Sequence, residues 1–459
     1  MTPGGRFARG DTIVAISTPP GTGAIGVIRI SGPRAVPLTS TLVRLARPDG
    51  LEAARSRTVH RATIIDPLTG EELDVALVVK MLAPRSYTGE DVVELSCHGN
   101  PLLLGEVIRL LLHGGARLAE PGEFTRRAYL NGRLGLLQAE AVGELISART
   151  DRAVHLAARQ LRGGLASAIA TIRDRLLDLV AGLEVELDFP EDEVGMSRQA
   201  ALDQSAALAE SIARLVAAAR RGRAVHAGIS VMLTGSPNVG KSSLLNALLG
   251  AERAIVSPSP GTTRDLVDGE LAIAGVSVRL MDGAGLGTPN DVIDAEGMRR
   301  VRQALVESDL ILVVLDQSRD ISPDDREALA LTVNRPRLIV ANKSDLPAAW
   351  VAADLSDCAC SALTGEGTDW LKAWLREWVE QRTACDGDEG GIVASLRVGE
   401  SLEAALVAVR HARDELGHSP TELVLVDLRE ALTALEQTLG IQADDALLDR
   451  IFATFCVGK

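Results

Sequence analysis

The stretch that decides the fold is Gly235-Ser-Pro-Asn-Val-Gly-Lys-Ser242, which separates the apolar run Ile229–Leu233 from the helical pattern Ser243–Leu249. A strand, a glycine-rich loop and a helix in this order form a phosphate-binding loop. Glycines let backbone N–H groups approach phosphate oxygens, and the helix N-terminus adds a positive dipole end. The Lys241 ammonium would neutralise β- and γ-phosphates, and the Ser242 hydroxyl would ligate Mg²⁺. The predicted nucleotide-contacting residues here are Asn238, Val239, Gly240, Lys241, Ser242 and Ser243.

Two further motifs follow strands downstream. Asp282-Gly-Ala-Gly285 ends the run Val276–Met281, where the Asp282 carboxylate would hold Mg²⁺ through water and the Gly285 amide would sense the γ-phosphate. With Lys241, Asp282 is therefore a candidate catalytic residue.

The third motif, Asn342-Lys343-Ser-Asp345, ends the run Arg337–Val340. An ionised Asp345 can accept hydrogen bonds from both the ring N–H and the exocyclic amine of guanine, a donor pair that adenine lacks. Ser361-Ala362 ends the next segment, where a loop would close over the base. Three ordered motifs at strand ends predict a guanine-nucleotide-binding hydrolase.

The pattern around this insert predicts a multidomain α/β protein. Residues 1–123 alternate short β-like runs with Gly/Pro turns, which indicates an α+β domain. Helical periodicity fills residues 124–223, and strand–helix alternation over 224–382 is typical of a doubly wound sheet. Residues 383–459 are helical again, so the G domain is expected to be inserted into a discontinuous helical domain. The expected strands and helices are Thr12–Ser17, Ala24–Ile30, Val75–Val79, Asp91–Ser96, Leu310–Leu315, Leu134–Leu145, Ala153–Ile172, Leu176–Leu187 and Ala206–Ala219.

Composition limits the possible function. No run of about 18 apolar residues is present, and the first eleven residues lack the apolar segment of a secretory signal, so a cytoplasmic protein with no membrane partner is expected. The five cysteines are scattered, and Cys358-x-Cys360 lacks the second pair that a metal site needs, which favours free thiols. The formal charge of −14 means that any contact with nucleic acid must be local or shared with a second protein.

Several segments resemble the MnmE (TrmE) tRNA-modification GTPases. They are Ala254-Ile-Val-Ser-Pro-Ser-Pro-Gly-Thr-Thr-Arg-Asp265, the terminal Phe455-Cys-Val-Gly-Lys459, Asp11-Thr-Ile-Val-Ala, Tyr87-Thr-Gly-Glu-Asp, Pro121-Gly-Glu-Phe-Thr, Tyr129-Leu-Asn and Asp188-Phe-Pro-Glu. The resemblance implies a folate-binding and dimerising N-terminal domain. It also implies a homodimer that joins an FAD-dependent GidA/MnmG-type partner in a heterotetramer. Together they would modify the wobble uridine of tRNA, with 5-formyl- or 5,10-methylene-tetrahydrofolate as the one-carbon source.

The same resemblance implies a K⁺-activated hydrolysis. Asn238, Ser257, Ser259 and Thr262 would coordinate K⁺, and Ser242 with Thr263 would ligate Mg²⁺. Leu286 stands where many small GTPases carry a glutamine that orients water, and an aliphatic side chain cannot do this. Counting from the Asp282 motif places Asp294 at the family's water-positioning acid, with Glu296 as the neighbouring alternative.

For folate, the resemblance points to Arg29, Glu94, Arg133 and Lys459, with Arg133 in place of a lysine. Cys456 is a weak candidate nucleophile towards the pyrimidine, and a plain buried thiol is the alternative. A different class of function is also open: a switch GTPase that controls ribosome or ribonucleoprotein assembly would need neither the folate residues nor the terminal pentapeptide.

Overall fold

The computed structural model describes residues 10–46, 49–188, 196–250, 269–283, 303–384, 395–441 and 443–459. These fall into two compact units. The first comprises Met1–Gly143, Leu161–Arg173 and Leu435–Lys459, and the second comprises Glu144–Gln160 and Asp174–Ala434. The multidomain α/β class is confirmed. The four-segment division of the chain stays a prediction.

The first unit is built on a seven-stranded sheet of order β3-β4-β5-β6-β2-β1-β7. The strands are β1 (Ile13–Ile16), β2 (Gly23–Ser31), β3 (Val43–Leu45), β4 (Val59–Ile65), β5 (Glu72–Met81), β6 (Val92–Gly99) and β7 (Arg117–Leu118). Its helices are α1 (Ala35–Leu42), α2 (Pro101–His113), α3 (Glu123–Leu130) and α4 (Leu136–Ser147), the last of which continues past the boundary of the unit. The apolar faces of α1 and α2 pack on the sheet in one buried cluster that includes Ile28, Leu95 and Leu111.

The second unit contains a six-stranded sheet of order β13-β12-β11-β8-β10-β9. Its strands are β8 (Ile229–Thr234), β9 (Gly269–Ile273), β10 (Val276–Asp282), β11 (Leu310–Asp316), β12 (Arg337–Asn342) and β13 (Cys358–Ala359). All pairings are parallel except that of β9 with β10. Helices α8 (Lys241–Leu249), α9 (Pro323–Thr332), α10 (Ala352–Leu355) and α11 (Thr368–Thr383) connect or follow these strands.

Strand β11 shows why this sheet is covered on both faces. Leu310, Leu312 and Val314 belong to one buried cluster, and the alternate residues Ile311, Val313 and Leu315 belong to another. Because successive side chains of a strand point to opposite faces, a continuous apolar run produces a central strand between two layers. The carboxyl ends of β8, β10 and β12 then lie at one edge of the sheet, and this placement positions the site.

Long helices make up the rest of the described chain: α5 (Asp151–Leu161), α6 (Gly164–Asp188), α7 (Arg198–Ala227), α12 (Leu396–Glu415), α13 (Thr421–Leu439) and α14 (Asp445–Ala453). The expected continuous helix Ala153–Ile172 is wrong. The chain breaks after Leu161, with Gly163 at φ 91°, and α6 then runs on without interruption through the expected boundary near residue 175. Within the second unit, α7 is tied to α12 by Arg220 and Glu403, whose nitrogen and oxygen lie 2.9 Å apart.

Candidate functional site

The phosphate-binding loop lies between β8 and α8, as its sequence predicts. Gly235 has φ 148° and Gly240 has φ 95°, and a Cβ at these positions would clash with the Val314 carbonyl and the Asn342 amide. Only glycine fits both the backbone conformation and the space. The loop therefore passes close to β11 and β12 before α8 begins at Lys241.

The Lys241 side chain is buried within the phosphate-binding loop. Its Nζ donates to the carbonyl oxygens of Gly235 at 3.1 Å and Ser236 at 3.0 Å. Burial lowers the pKa of Lys241, and the carboxylates of Asp282 and Asp325 partly offset this effect. Carbonyl oxygens are weak partners for an ammonium group, so an anionic phosphate would be a better one.

Ser242 and Asp282 meet at the end of the sheet. The Ser242 hydroxyl donates to Asp282 Oδ2 at 2.5 Å. Strands β8 and β10 align in parallel with Asp282 opposite Leu233, and the Gly283 N–H donates to the Leu233 carbonyl at 2.9 Å. A hydroxyl and a carboxylate side by side form an oxygen-only donor set, which fits Mg²⁺.

Asn342 joins the loops that follow three strands. Its side chain is buried at the end of β12, where Nδ2 donates to the Val239 carbonyl at 2.8 Å and Oδ1 accepts from the Ala362 N–H at 3.0 Å. The phosphate loop and the Ser361-Ala362 loop are thus fixed by one amide. Ser361 is itself fully buried, and its hydroxyl accepts from the Thr364 N–H at 3.1 Å.

The remaining residues of the third motif differ in burial. Lys343 adopts φ 65° and its Nζ lies 2.6 Å from Asp316 Oδ2. Asp345 is exposed in the following loop. An exposed carboxylate beside two anchored loops can receive the edge of a base.

A group of residues that the sequence did not single out supports the phosphate loop. Ser236 Oγ donates to buried Asp325 at 2.6 Å, and Arg319 lies 3.2 Å from the same carboxylate. Burial alone would raise the pKa of Asp325, but hydrogen bonds from Ser236 and Ser322 hold it below its usual value. The signal was present in Ser322-Pro-Asp-Asp325, a capping-box pattern that begins α9.

Several predicted site residues lie outside the described residues. They are Gly285, Leu286, Asp294, Glu296, Ser257, Ser259, Thr262 and Thr263. Of the predicted K⁺ ligands the structure describes Asn238, which is exposed in the phosphate loop at φ 62°.

A second cluster forms in the first unit around Arg29 and Glu94. They face each other across β2 and β6, with 2.8 Å between Arg29 Nε and Glu94 Oε1. The Gly458 carbonyl accepts from Arg29 Nη1 at 3.4 Å and from the Ser17 hydroxyl at 3.0 Å. Burial and the Arg29 charge lower the pKa of Lys459, while Glu94 opposes them. Three of the four predicted folate residues are therefore close together.

Aromatic rings frame this cluster. The Arg29 guanidinium lies 5.3 Å from the ring centre of Tyr87 and 5.6 Å from that of Phe124. The Phe124 N–H donates to the Lys459 carbonyl at 3.1 Å. Tyr87 and Phe124 both belong to motifs of the sequence that predicted no role for either residue.

Two other predicted site residues of the first unit are exposed. Arg133 is exposed, and its Cγ would be 3.2 Å from a Cβ placed on Gly89. Cys456 is exposed, so the alternative of a buried thiol is wrong for it.

Cys358 and Cys360 resemble structural thiols. Burial raises the pKa of Cys358 to about 12 and that of Cys360 to about 11, so both stay protonated at neutral pH. Among the described residues no group of three His, Cys, Asp or Glu side chains could hold a metal ion. Within the same residues, no helix has both the length and the apolar character needed to cross a membrane.

Comparison with known proteins covers nearly the whole chain. A family model described as "GTP-binding protein TrmE N-terminus" matches residues 12–133, and one described as "MnmE helical domain" matches residues 136–456. The "tRNA modification GTPase MnmE" of Moorella thermoacetica is 42% identical over 462 residues, which is 98% of this chain and 99% of that protein. The protein of the same name from Symbiobacterium thermophilum is 43% identical over 459 residues, with coverage of 98% and 99%. Among solved structures, Aquifex aeolicus Era bound to GDP.AlF4- is 28% identical and covers 39% of this chain and 66% of that one, with a TM-score of 0.28.

Proposed function

The chain belongs to the MnmE family of tRNA modification GTPases, and from this premise we propose that it couples K⁺-activated GTP hydrolysis to folate-dependent modification of the wobble uridine of tRNA. The GTPase part of this proposal rests on the two hydrogen bonds of Asn342, which join the phosphate loop to the Ser361-Ala362 loop beside Asp345. A guanine base would lie against Asp345 while its phosphates lie over Lys241.

Hydrolysis rests on charge placed around the phosphates. Ser242 and Thr263 would hold Mg²⁺ with help from Asp282, and Asn238, Ser257, Ser259 and Thr262 would hold K⁺. Bound cations supply positive charge where negative charge develops in phosphoryl transfer. Asp294 or Glu296 would position the attacking water, since Leu286 cannot.

The folate half rests on the cluster of Arg29, Glu94 and Lys459. The two cations suit the carboxylates of a tetrahydrofolate derivative, and Glu94 can accept hydrogen bonds from a pterin amine and ring N–H. Arg133, which is exposed, would contribute a further cation. Cys456 is exposed next to this cluster and stays a weak candidate nucleophile.

The proposed reaction needs partners. An FAD-dependent protein of the GidA/MnmG type would supply redox chemistry, and two copies of each chain would form a heterotetramer. The tRNA substrate would place this assembly in the cytoplasm.

Mass spectrometry of wobble nucleosides tests the proposal. A strain that lacks this protein should lose aminomethyl- and carboxymethylaminomethyl-uridine, and the wild-type gene should restore them. An Asp345→Asn gene should not. Unchanged nucleosides in the deletion strain would leave only the switch GTPase reading.

A further inference from the structure

A basic cavity in the first unit is lined by none of the residues that form the two clusters described above. It has a volume of about 630 Å³ and is lined by Arg55, Ser56, Arg57, Thr58, Leu82, Ala83, Pro84 and Arg85. The two segments, 55–58 and 82–85, carry three arginines and no acidic residue, whereas the whole chain has a formal charge of −14. Such a local concentration of positive charge is what an acidic chain needs to contact a polyanion.

The cavity wall is held by hydrogen bonds between its two segments. Arg57, at φ 62°, donates from Nε at 3.2 Å and from Nη2 at 2.7 Å to the Arg85 carbonyl. The Leu82 N–H donates to the Ser56 hydroxyl at 3.2 Å. Segment 55–58 leads directly into β4 and segment 82–85 directly follows β5, and these two strands pair with Val59 opposite Val79. The arginines are therefore presented on a fixed frame.

The three guanidinium groups keep their charge available. In the described part of the chain, none of Arg55, Arg57 and Arg85 forms an ion pair with a carboxylate, and all three are exposed. The Asp91 carboxylate contacts the backbone of the cavity wall, where its Oδ1 accepts from the Ala83 N–H at 2.9 Å. The arginine side chains Arg55 and Arg85 have no hydrogen bond within the described residues, so both can donate to a ligand.

We propose that this cavity binds phosphate groups of the tRNA backbone. The inference rests on the proposed function, which requires a tRNA substrate, and adds a contact site for it. Arginine presents several N–H donors in one plane and matches phosphate oxygens in pairs. Because the contact is to the backbone, it anchors tRNA without reading its sequence.

Salt-dependent binding of unmodified tRNA to the full-length chain tests the site. Arg55→Gln combined with Arg85→Gln removes two charges and leaves the Arg57 hydrogen bonds in place. Each phosphate contact contributes about 0.7–0.9 to the slope of log K against log salt. The slope should therefore fall by roughly 1.5, and affinity at low salt should fall at least about tenfold.

Arg162→Gln combined with Arg198→Gln is the matched control. Both arginines are exposed and lie outside the cavity. Because two arginines are replaced in each double variant, the change of net charge is the same. It should bind tRNA almost as tightly as the wild type. Both double variants should hydrolyse GTP at the wild-type rate. Both should also give the wild-type urea-unfolding curve, which shows that the first unit folds as well.

Three outcomes overturn the inference. The first is an equal loss of tRNA affinity in the two double variants, and the second is the absence of tRNA binding by the wild-type chain. The third is that Arg55→Gln with Arg85→Gln abolishes binding of tripolyphosphate but leaves tRNA binding unchanged. Failure of the proposed function is a different result, since it appears as normal wobble nucleosides in the deletion strain.

Discussion

The buried side chain of Asn342 has a partner for both its donor and its acceptor atom. Its amide bonds to Val239 and Ala362, which follow two other strands of the same sheet. An unpaired buried polar group costs about 1–3 kcal/mol, so this geometry resists local change. The sequence predicted that Asn342 ends a strand near the nucleotide, but the two contacts depend on residues 103 and 20 positions away.

Asp345→Asn should weaken GTP binding by about 2–4 kcal/mol, because the neutral amide replaces the anionic acceptor that pairs with two guanine donors. Titration with fluorescently labelled GDP measures this. Asp354→Asn changes another exposed carboxylate and should leave the dissociation constant as it is. An unchanged constant in the Asp345 variant would contradict the assignment of the base pocket.

Asn238→Gly should abolish the dependence of hydrolysis on K⁺ while GTP still binds. Glycine keeps the left-handed backbone at φ 62° and removes the side-chain oxygen. Hydrolysis by the wild type should fall sharply when Na⁺ replaces K⁺, and the variant should be slow in both salts. Asn246→Ala, on the exposed side of α8, is the control. Equal wild-type rates in the two salts would remove the role of K⁺.

Helix α3 is fixed to its sheet by ion pairs around Glu123. This side chain is fully buried, and its Oε1 lies 2.7 Å from Arg117 Nη2 and 2.9 Å from Arg127 Nη2. Arg127 also lies 2.5 Å from Asp11 Oδ1. Burial alone would raise the pKa of Glu123, but hydrogen bonds from Arg117, the Glu120 N–H and Arg127 hold it below 4.5.

This lowered pKa gives a pH-dependent stability. The contribution of ionised Glu123 is complete above about pH 4.5 and is lost as the pH falls through the folded-state pKa. Glu123→Gln should lower the free energy of unfolding at pH 7 by on the order of 2 kcal/mol, since Arg117 is partly solvent-screened. The difference from wild type should shrink in acid, as urea unfolding at pH 7 and pH 3.5 would show. As a control, Glu210→Gln breaks an exposed ion pair with Arg214 and should change the free energy of unfolding little at either pH. If the Glu123→Gln variant and the wild type differ by the same free energy at both pH values, the stability does not depend on ionisation of Glu123.

The break between α5 and α6 shows the limit of periodicity. Apolar residues keep helical spacing on both sides of Gly163, so the pattern alone predicted one helix there. The same spacing predicted separate helices Ala153–Ile172 and Leu176–Leu187, whereas α6 continues from Gly164 to Asp188. In contrast, β8, β10, β11 and β12 begin at the predicted residues, because buried parallel strands are continuous apolar runs between turns.

Across the molecule, local motifs were more predictable than long-range clusters. The phosphate loop is read from eight consecutive residues, and its strand–loop–helix setting is confirmed. The cluster of Arg29, Glu94 and Lys459 came from family resemblance, because no local pattern relates β2 to residues more than 400 positions away. For the same reason the motifs that contain Tyr87 and Phe124 predicted no contact of either ring with Arg29.

Gly458→Ala tests whether the last residues complete that cluster. Gly458 has φ 95°, and a Cβ would clash with the Ile16 carbonyl, so the alanine variant must shift the 456–459 segment. Affinity for 5-formyltetrahydrofolate, measured by calorimetry, should fall at least about tenfold, which is about 1.4 kcal/mol. GTP hydrolysis in K⁺ should survive. As a control, Gly417→Ala adds a methyl group where nothing lies within 4 Å and should bind folate as tightly as the wild type. If Gly458→Ala also binds folate with wild-type affinity, the 456–459 segment has no role in the site.

The hydrogen bond between Ser17 and the Gly458 carbonyl spans 441 positions, and this separation has a consequence during synthesis. A ribosome adds about 5–20 residues per second, so Ser17 waits roughly 20–90 s before its partner is made. Once Leu249 has been added, the phosphate loop and its helix are complete, while β1 and β2 still lack the segment that contacts Arg29. A nascent chain that stalls between residues 362 and 458 would thus carry its nucleotide motifs without the folate cluster. Synthesis of the 456–459 segment is itself a step in assembling the proposed folate site.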